Sequence, residues 1–494
     1  MIDPKYLLDD GQMRHFLAYG YVKLKTELPA SFHQAVYERT QAVFEKEGNP
    51  GNNILPRVPQ IQRVFDDPVV RGALTSVLGP DYAMHSHRHP HISPAGGQGG
   101  GWHKDSYWGY RKVRYHRTRW AMIFYYPQDV TPENGPTGVI PGTHYYDSPV
   151  MRDEEDRHQM VCGEAGTCTL VHFDLWHRAY PNHSDANRYM MKFQFTRMRE
   201  PVAPTWNGGR TAWEPLANGL PPHDVLWSKL WDWHRGASGQ TAPGAGDAAA
   251  LADALHGNDL AGRVQAAAAL GSLGPGAGSA VPALVEALRD EYEPLRLNAA
   301  YALGAVGEKA VGPLVEALGD GEDHTRLDAA YALGASGPGA AGPLGEILGD
   351  SDADTRGYAA YALGDMGPTA GAEAAAGLAA LAGDPSETVR RNVAEALGTM
   401  QQSDPSVVGA LARLVNDEDG QTGYQAAYSL ARLGPAAAPA VPALEQGLES
   451  ENRYVRNHSV EALRQIGTPQ AQSALLDFLT ASRWCPITSK ESTF

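Results

Sequence analysis

His103, Lys104 and Asp105 form an H-x-D pair that is answered much later in the chain by His177 and then Arg188. Side chains alternate along an extended strand, so an H-x-D pair there sends imidazole and carboxylate to one face. With a distant second imidazole, two histidines and one acid can grip one side of a metal ion. Such a set leaves the other positions open for a co-substrate and oxygen, as in non-haem iron(II) oxygenases. Arginine suits a buried carboxylate because its planar fork donates two charge-assisted hydrogen bonds and never deprotonates.

A scaffold has to bring these residues together. The pattern predicts a helix around Asp10–Ala18, a strand over Tyr19–Leu24 and an amphipathic helix at about Ala30–Lys46. Short β-type runs follow at Tyr82–His91, Arg119–Tyr126, Gly138–Ile140, Gly166–Phe173 and Met190–Thr196. PENGP at 132–136 and PGT at 141–143 supply turns between them. Many short strands with polar turns predict a sandwich or jelly roll, a cupin-like architecture. His85, His87, His89 and His91 alternate, so one strand should display all four on one face lining the cavity, with His85 foremost as a ligand contact. A second metal site there is the sharper alternative. Trp102, Tyr107, Trp108 and Tyr110 flank the H-x-D pair and are expected to wall a pocket or fill core. Gly96–Gly101 lacks the lysine and helix context of a phosphate loop and reads as a lid over the site.

Near residue 236 the grammar changes. The stretch GASGQTAPGAGDA, residues 236–248, reads as a flexible linker. Beyond it, phrases such as AAYALGAVG, AAYALGASG and AAYALGDMG place leucines at 270, 303, 333, 363, 397, 430 and 463. A spacing of 30 to 34 residues signals a solenoid of helix pairs. An arginine recurs near the start of six of the seven repeat helices, at 263, 296, 326, 356, 390 and 456.

The pieces GYVKL, WHKD at 102–105, NGPTGVIPGTH at 134–144 and HFDLWHRAYPNHSDANR at 172–188 occur in order. Together they resemble the phytanoyl-CoA dioxygenase family of Fe(II)/2-oxoglutarate oxygenases, over about residues 10–200. The second half resembles HEAT-like repeats of the short, alanine-rich type seen in phycobilisome lyases. The first resemblance implies a double-stranded β-helix with flanking helices in which His103, Asp105 and His177 bind iron. His172 is the rival third ligand; the family pattern favours His177. Arg188, His85 and Trp108 are the expected cofactor-binding residues, and Asn182 is expected to shape a turn. The implied activity is oxidation of an unactivated C–H of a small organic or natural-product substrate by O2. It would be coupled to decarboxylation of 2-oxoglutarate to succinate and CO2. Halogenating relatives replace the acid by a small residue, so Asp105 favours hydroxylation or a related oxidation. A non-catalytic scaffold acting through the solenoid is the alternative, and bilin attachment is a remote third.

The expected layout is an oxygenase domain at 1–235, a linker at 236–248, about seven repeats at 249–480 and a tail at 481–494. Residues 1–248 hold 26 acids and 26 bases, whereas 249–480 hold 30 acids and 13 bases, so the net charge of −16 resides in the repeats. That acidity argues against nucleic acid, whose phosphates need Lys and Arg clusters. It suits solubility and a basic protein or carrier-protein partner. Cys162, Cys168 and Cys485 lack metal-ligand spacing and cannot build a disulfide framework. The opening MIDPKYLLDD lacks the features of a secretory signal, and no run is expected to approach a membrane span. A cytoplasmic location is the resulting expectation.

Overall fold

The computed structural model describes residues 2–106, 116–216, 219–237, 244 and 246–481. Trp108, with Tyr107 and Tyr110, lies outside the described residues, as do Cys485 and most of the 236–248 stretch. The described chain divides into two compact units, one of residues 2–214 and 229–237, the other of 215–228 and the chain from 244 to 481.

The first unit is a β domain with helices on its outside. Its opening helix, Asp10–Tyr19, starts at a capping box: Asp9 accepts from the Gln12 amide while the Gln12 side chain accepts from the Asp9 amide. Eight strands follow: β1 (Tyr21–Lys25), β2 (Ala83–Ser93), β3 (Trp120–Tyr125), β4 (Thr137–Val139), β5 (Gln159–Val161), β6 (Thr167–His172), β7 (His177–Ala179) and β8 (Arg188–Thr196). They form a five-stranded sheet, β1-β6-β3-β8-β2, and a three-stranded sheet, β5-β4-β7. Every pairing is antiparallel. This is the cupin-like β architecture expected. Strands β3, β6 and β8 are buried at every position. The helix Pro68–Leu78 packs against β1, β3 and β6, which helps bury β3 and β6 along their whole length, while β1 alternates buried and exposed positions.

Two strands, β5 and β7, escape the sequence pattern because three residues carry no detectable period. The H-x-D pair also differs from expectation. His103 is a single bridge residue and Asp105 sits in a turn, so no continuous strand carries them. The glycine run is no detached lid: Gly100 donates to the Ala179 carbonyl at 2.9 Å and Gly97 accepts from the Asn182 amide at 2.8 Å.

The second unit is helical throughout its described residues. The seven repeat leucines are all fully buried. The glycine in each ALG phrase permits close helix approach; a Cβ on Gly364 would stand 2.7 Å from the Cα of Ala396, and one on Gly304 2.8 Å from the Cβ of Ala335. Several of the recurrent arginines tie one repeat to the next. Arg296 bonds Asp328, Arg356 bonds Asp384 and Arg390 bonds Asp417, each at 2.8 Å. Arg356 and Arg390 also donate to the carbonyls of Asp350 and Asp384, six residues earlier. Part of the acidic excess is therefore consumed internally. One expectation needs correction: the helical stretch Leu260–Ala287 is long and apolar enough to cross a membrane by length and composition. Here it comprises a helix Leu260–Leu273, a 3-10 segment Gly274–Ala280 and a helix Val281–Ala287.

The ladder has a pH signature. Asp419 accepts from both arms of the Arg391 guanidinium at 2.7 and 2.9 Å and from the Thr422 amide at 2.9 Å. Burial opposes its ionisation, but these donors outweigh burial and bring its pKa down to about 2. A carboxyl depressed on folding adds stability above its unfolded value, near 4, and loses it as pH falls through the folded value. The helical unit is expected to lose on the order of 2 kcal/mol from this acid alone between about pH 4 and pH 2. Arg391→Met should flatten that dependence in circular-dichroism melts. Parallel pH curves for variant and parent would show that the ladder does not set acid stability.

Candidate metal centre and its cavity

The isolated antiparallel bridge between His103 and His177 builds the centre. Each backbone amide donates to the other's carbonyl at 3.0 Å, so the two residues form a hydrogen-bonded pair. Directly paired residues project to one side, and the imidazole centroids stand 4.4 Å apart. Asp105, from the following turn, brings Oδ2 to 3.6 Å from His177 Nε2. One ligand atom from each of the three residues lies within 4.8 Å of the others, and this is the only such group among the described residues.

Backbone carbonyls orient both imidazoles. His103 Nδ1 bonds the Gly101 carbonyl at 3.0 Å, and His177 Nδ1 bonds the Leu175 carbonyl at 2.9 Å. With Nδ1–H spent on a carbonyl, each ring turns the lone pair of Nε2 toward the common point. Burial pushes His177 down to about 4 against the pull of Asp105, so at neutral pH it is an unprotonated ligand. Burial opposes ionisation of Asp105, yet Lys192 and His177 outweigh it and hold the carboxyl well below the usual range. His177 Nε2 is buried without a hydrogen-bond partner, and Asp105 Oδ2, which faces it, is 2.7 Å from Lys192 Nζ. A buried nitrogen left without a partner calls for a ligand, and two nitrogens and an anionic oxygen converging on one point fit a divalent cation. His172 is placed elsewhere. It pairs with Ala121 on the opposite face of the sheet and packs 4.8 Å from the His144 ring.

Register defines the cavity face of the large sheet. Arg188, Met190 and Lys192 on β8 pair with Ser93, His91 and His89 on β2. Lys192, Gln194 and Thr196 pair on the other side with Phe124, Met122 and Trp120 of β3. The Phe124 ring lies 5.5 Å from that of His177, so this face looks onto the three candidate ligands. Arg188 is 2% exposed. Its Nε donates to the Gly135 carbonyl at 2.8 Å, its Nη2 reaches the same oxygen, and its guanidinium lies over the Tyr126 ring. Gly135 has φ of 75°, and a Cβ there would stand 2.4 Å from Ser93 Oγ, so NGPTG needs its first glycine. No carboxylate among the described residues pairs with Arg188, which leaves a buried cation in want of an anion.

Asn182 ties the turn after β7. Its side chain donates to the carbonyls of Ser93 and Ala186, both at 2.9 Å, and accepts from the Ser184 amide and hydroxyl. His85 is buried, 5.2 Å edge-on to Trp120, toward the opposite end of β2 from the partner of Arg188. The structure thus separates it from the arginine it was grouped with. A bulge between Met84 and Arg88 interrupts the ladder. His87 stacks on His89 at 6.1 Å and His91 lies tilted 5.0 Å from His89, and these histidines do not form a metal-binding group among the described residues. Trp102 and Tyr180 sandwich the Arg178 guanidinium at 4.8 and 4.2 Å beside the bridge.

Lys192 is the residue that sequence reasoning missed. It is 3% exposed, and its Nζ donates to Asp105 Oδ1 at 2.7 Å. The signal was present: Arg188, Lys192 and Gln194 are polar positions of matching parity in an otherwise apolar strand.

Comparison with known proteins agrees with this layout. Residues 20–190 match the phytanoyl-CoA dioxygenase family model, and 248–334, 341–431 and 407–485 match that of HEAT repeats. No curated protein matches the chain. Solved structures similar to it include EctD from S. alaskensis with 2-oxoglutarate and 5-hydroxyectoine. That match has 18% identity, covers 40% of this chain and 80% of that one, and has a TM-score of 0.34. The non-heme alpha ketoglutarate dependent carbocyclase SnoK from nogalamycin biosynthesis matches at 16% identity, covering 40% and 88%, with a TM-score of 0.33. HygX from Streptomyces hygroscopicus, without ligand, matches at 14%, covering 38% and 87%, with a TM-score of 0.31. The chain therefore joins a phytanoyl-CoA dioxygenase domain to a run of HEAT repeats.

Proposed function

We propose that this protein is an Fe(II)- and 2-oxoglutarate-dependent dioxygenase that oxidises a C–H bond of a small organic substrate. The observation that carries the reading is the convergence of His103, Asp105 and His177, with the buried Nε2 of His177 lacking a hydrogen-bond partner. Bound ferrous iron would supply oxygen activation coupled to oxidative decarboxylation of 2-oxoglutarate to succinate and CO2. The chain's own residues do the rest. His103, Asp105 and His177 hold one face of the ion and leave the other open. Arg188 receives the distal carboxylate, since its guanidinium is buried and pre-set by Gly135 and Tyr126. Phe124, Met122 and Trp120 exclude water from the interior, protecting a reactive centre from side reactions. His85 belongs to the substrate end of the cavity, away from Arg188. HEAT repeats are protein-interaction scaffolds, and a protein or carrier-protein partner is the role assigned to the second unit. Purified protein with Fe(II), 2-oxoglutarate and O2 is expected to release succinate, faster when a metabolite screen supplies the substrate. Absence of any iron-dependent succinate, coupled or uncoupled, would refute the assignment.

A further inference from the structure

The cavity face carries more positive charge than the proposed reaction uses. Asp105 is its acid, while Lys192 and Arg188 are both buried cations. A divalent metal and doubly charged 2-oxoglutarate cancel one another, so the described groups retain one positive charge. An uncompensated buried charge is expensive, and a ligand anion is the economical way to remove it.

The position of Lys192 says which ligand. Arg188 lies four residues along β8, at the end reserved for 2-oxoglutarate, whereas Lys192 stands level with Phe124 and beside Asp105. Its ammonium has three donors and lies 2.7 Å from both Asp105 oxygens, the one acid it contacts among the described residues, which leaves donor capacity over. Beyond it on the same face, Gln194 is 1% exposed and its Oε1 is buried without a hydrogen-bond partner. A cation with donors to spare and an orphaned amide oxygen thus adjoin the metal on the side away from Arg188.

Resting on the dioxygenase reading, we propose that the substrate is a small organic acid, its anionic group held by Lys192 and an adjacent N–H or O–H donor read by Gln194. The anion would fix which C–H faces the metal. Lys192 is then a specificity-determining residue that also steadies Asp105.

The test reads binding rather than turnover. Full-length protein loaded with Mn(II) and the inert analogue N-oxalylglycine is titrated calorimetrically with butyrate, butane-1-sulfonate, butyl phosphate and neutral butyramide. At least one anion should bind tenfold or more tighter than the amide. Lys192→Met and Lys192→Gln, the latter retaining a donor to Asp105, should erase that preference when each variant is titrated saturated with Mn(II) and N-oxalylglycine. Equal binding of anions and amide, or no binding of either, overturns the proposal but leaves the dioxygenase reading standing. Retention of the anion preference by both saturated variants overturns the proposal too. Failure of the parent protein to take up Mn(II) and N-oxalylglycine removes the dioxygenase reading, and this proposal with it.

Discussion

Asp105→Ala should abolish iron-dependent succinate formation and weaken divalent-metal binding by more than about a hundredfold, the upper end of what losing an outer-shell partner costs. The carboxylate is the only anionic member of the candidate set, so its loss removes both a ligand and the charge that draws the cation. A second effect accompanies the first. Lys192 is left buried and unpaired, which costs on the order of 3 kcal/mol of folding stability. The two effects separate in the double variant Asp105→Ala/Lys192→Met, which should regain most of the melting temperature and none of the metal affinity. Metal titration and thermal melts on the three proteins decide the matter. Parent-like metal binding by Asp105→Ala would place the centre elsewhere.

Arg188→Lys should raise the KM for 2-oxoglutarate about tenfold to a hundredfold with a smaller change in metal affinity, as loss of charge-assisted hydrogen bonds worth about 1.5–3 kcal/mol implies. Lysine keeps the charge but cannot hold the Gly135 carbonyl and a ligand carboxylate in one plane. Arg188→Met goes further, stranding the buried Gly135 oxygen at about 1–3 kcal/mol of stability. Steady-state kinetics with varied 2-oxoglutarate, alongside metal titration, distinguish a co-substrate anchor from a structural arginine. A KM unmoved by Arg188→Lys would assign the residue to Gly135 and Tyr126 alone.

The legible parts of the molecule share a cause. Each helical repeat touches mainly its neighbours, so the leucine and alanine period in the chain is also the packing period in space. Long strands such as β3, β6 and β8 announce themselves by runs of six to nine residues rich in aromatic, aliphatic and β-branched side chains. The illegible parts are short or depend on a partner. Strands β5 and β7 span three residues each, and the helix Pro68–Leu78 is apolar enough to pass for a buried strand. The local guess that Asp105 lies on a strand failed because a single bridge to His177, not a ladder, holds His103 in place.

By itself the chain determined the chemical types at the centre, two imidazoles, a carboxylate and an arginine, along with the two-part architecture. The family resemblance already favoured His177 over His172, and the tertiary structure supplies the reason: His172 pairs with Ala121 on the other face of the sheet, whereas His177 bridges His103. Only the tertiary structure moved His85 away from Arg188 and set Lys192 against Asp105, eighty-seven positions apart. Residue identity limits what chemistry is available; cross-strand register, invisible in a single sequence, decides which side chains share a cavity.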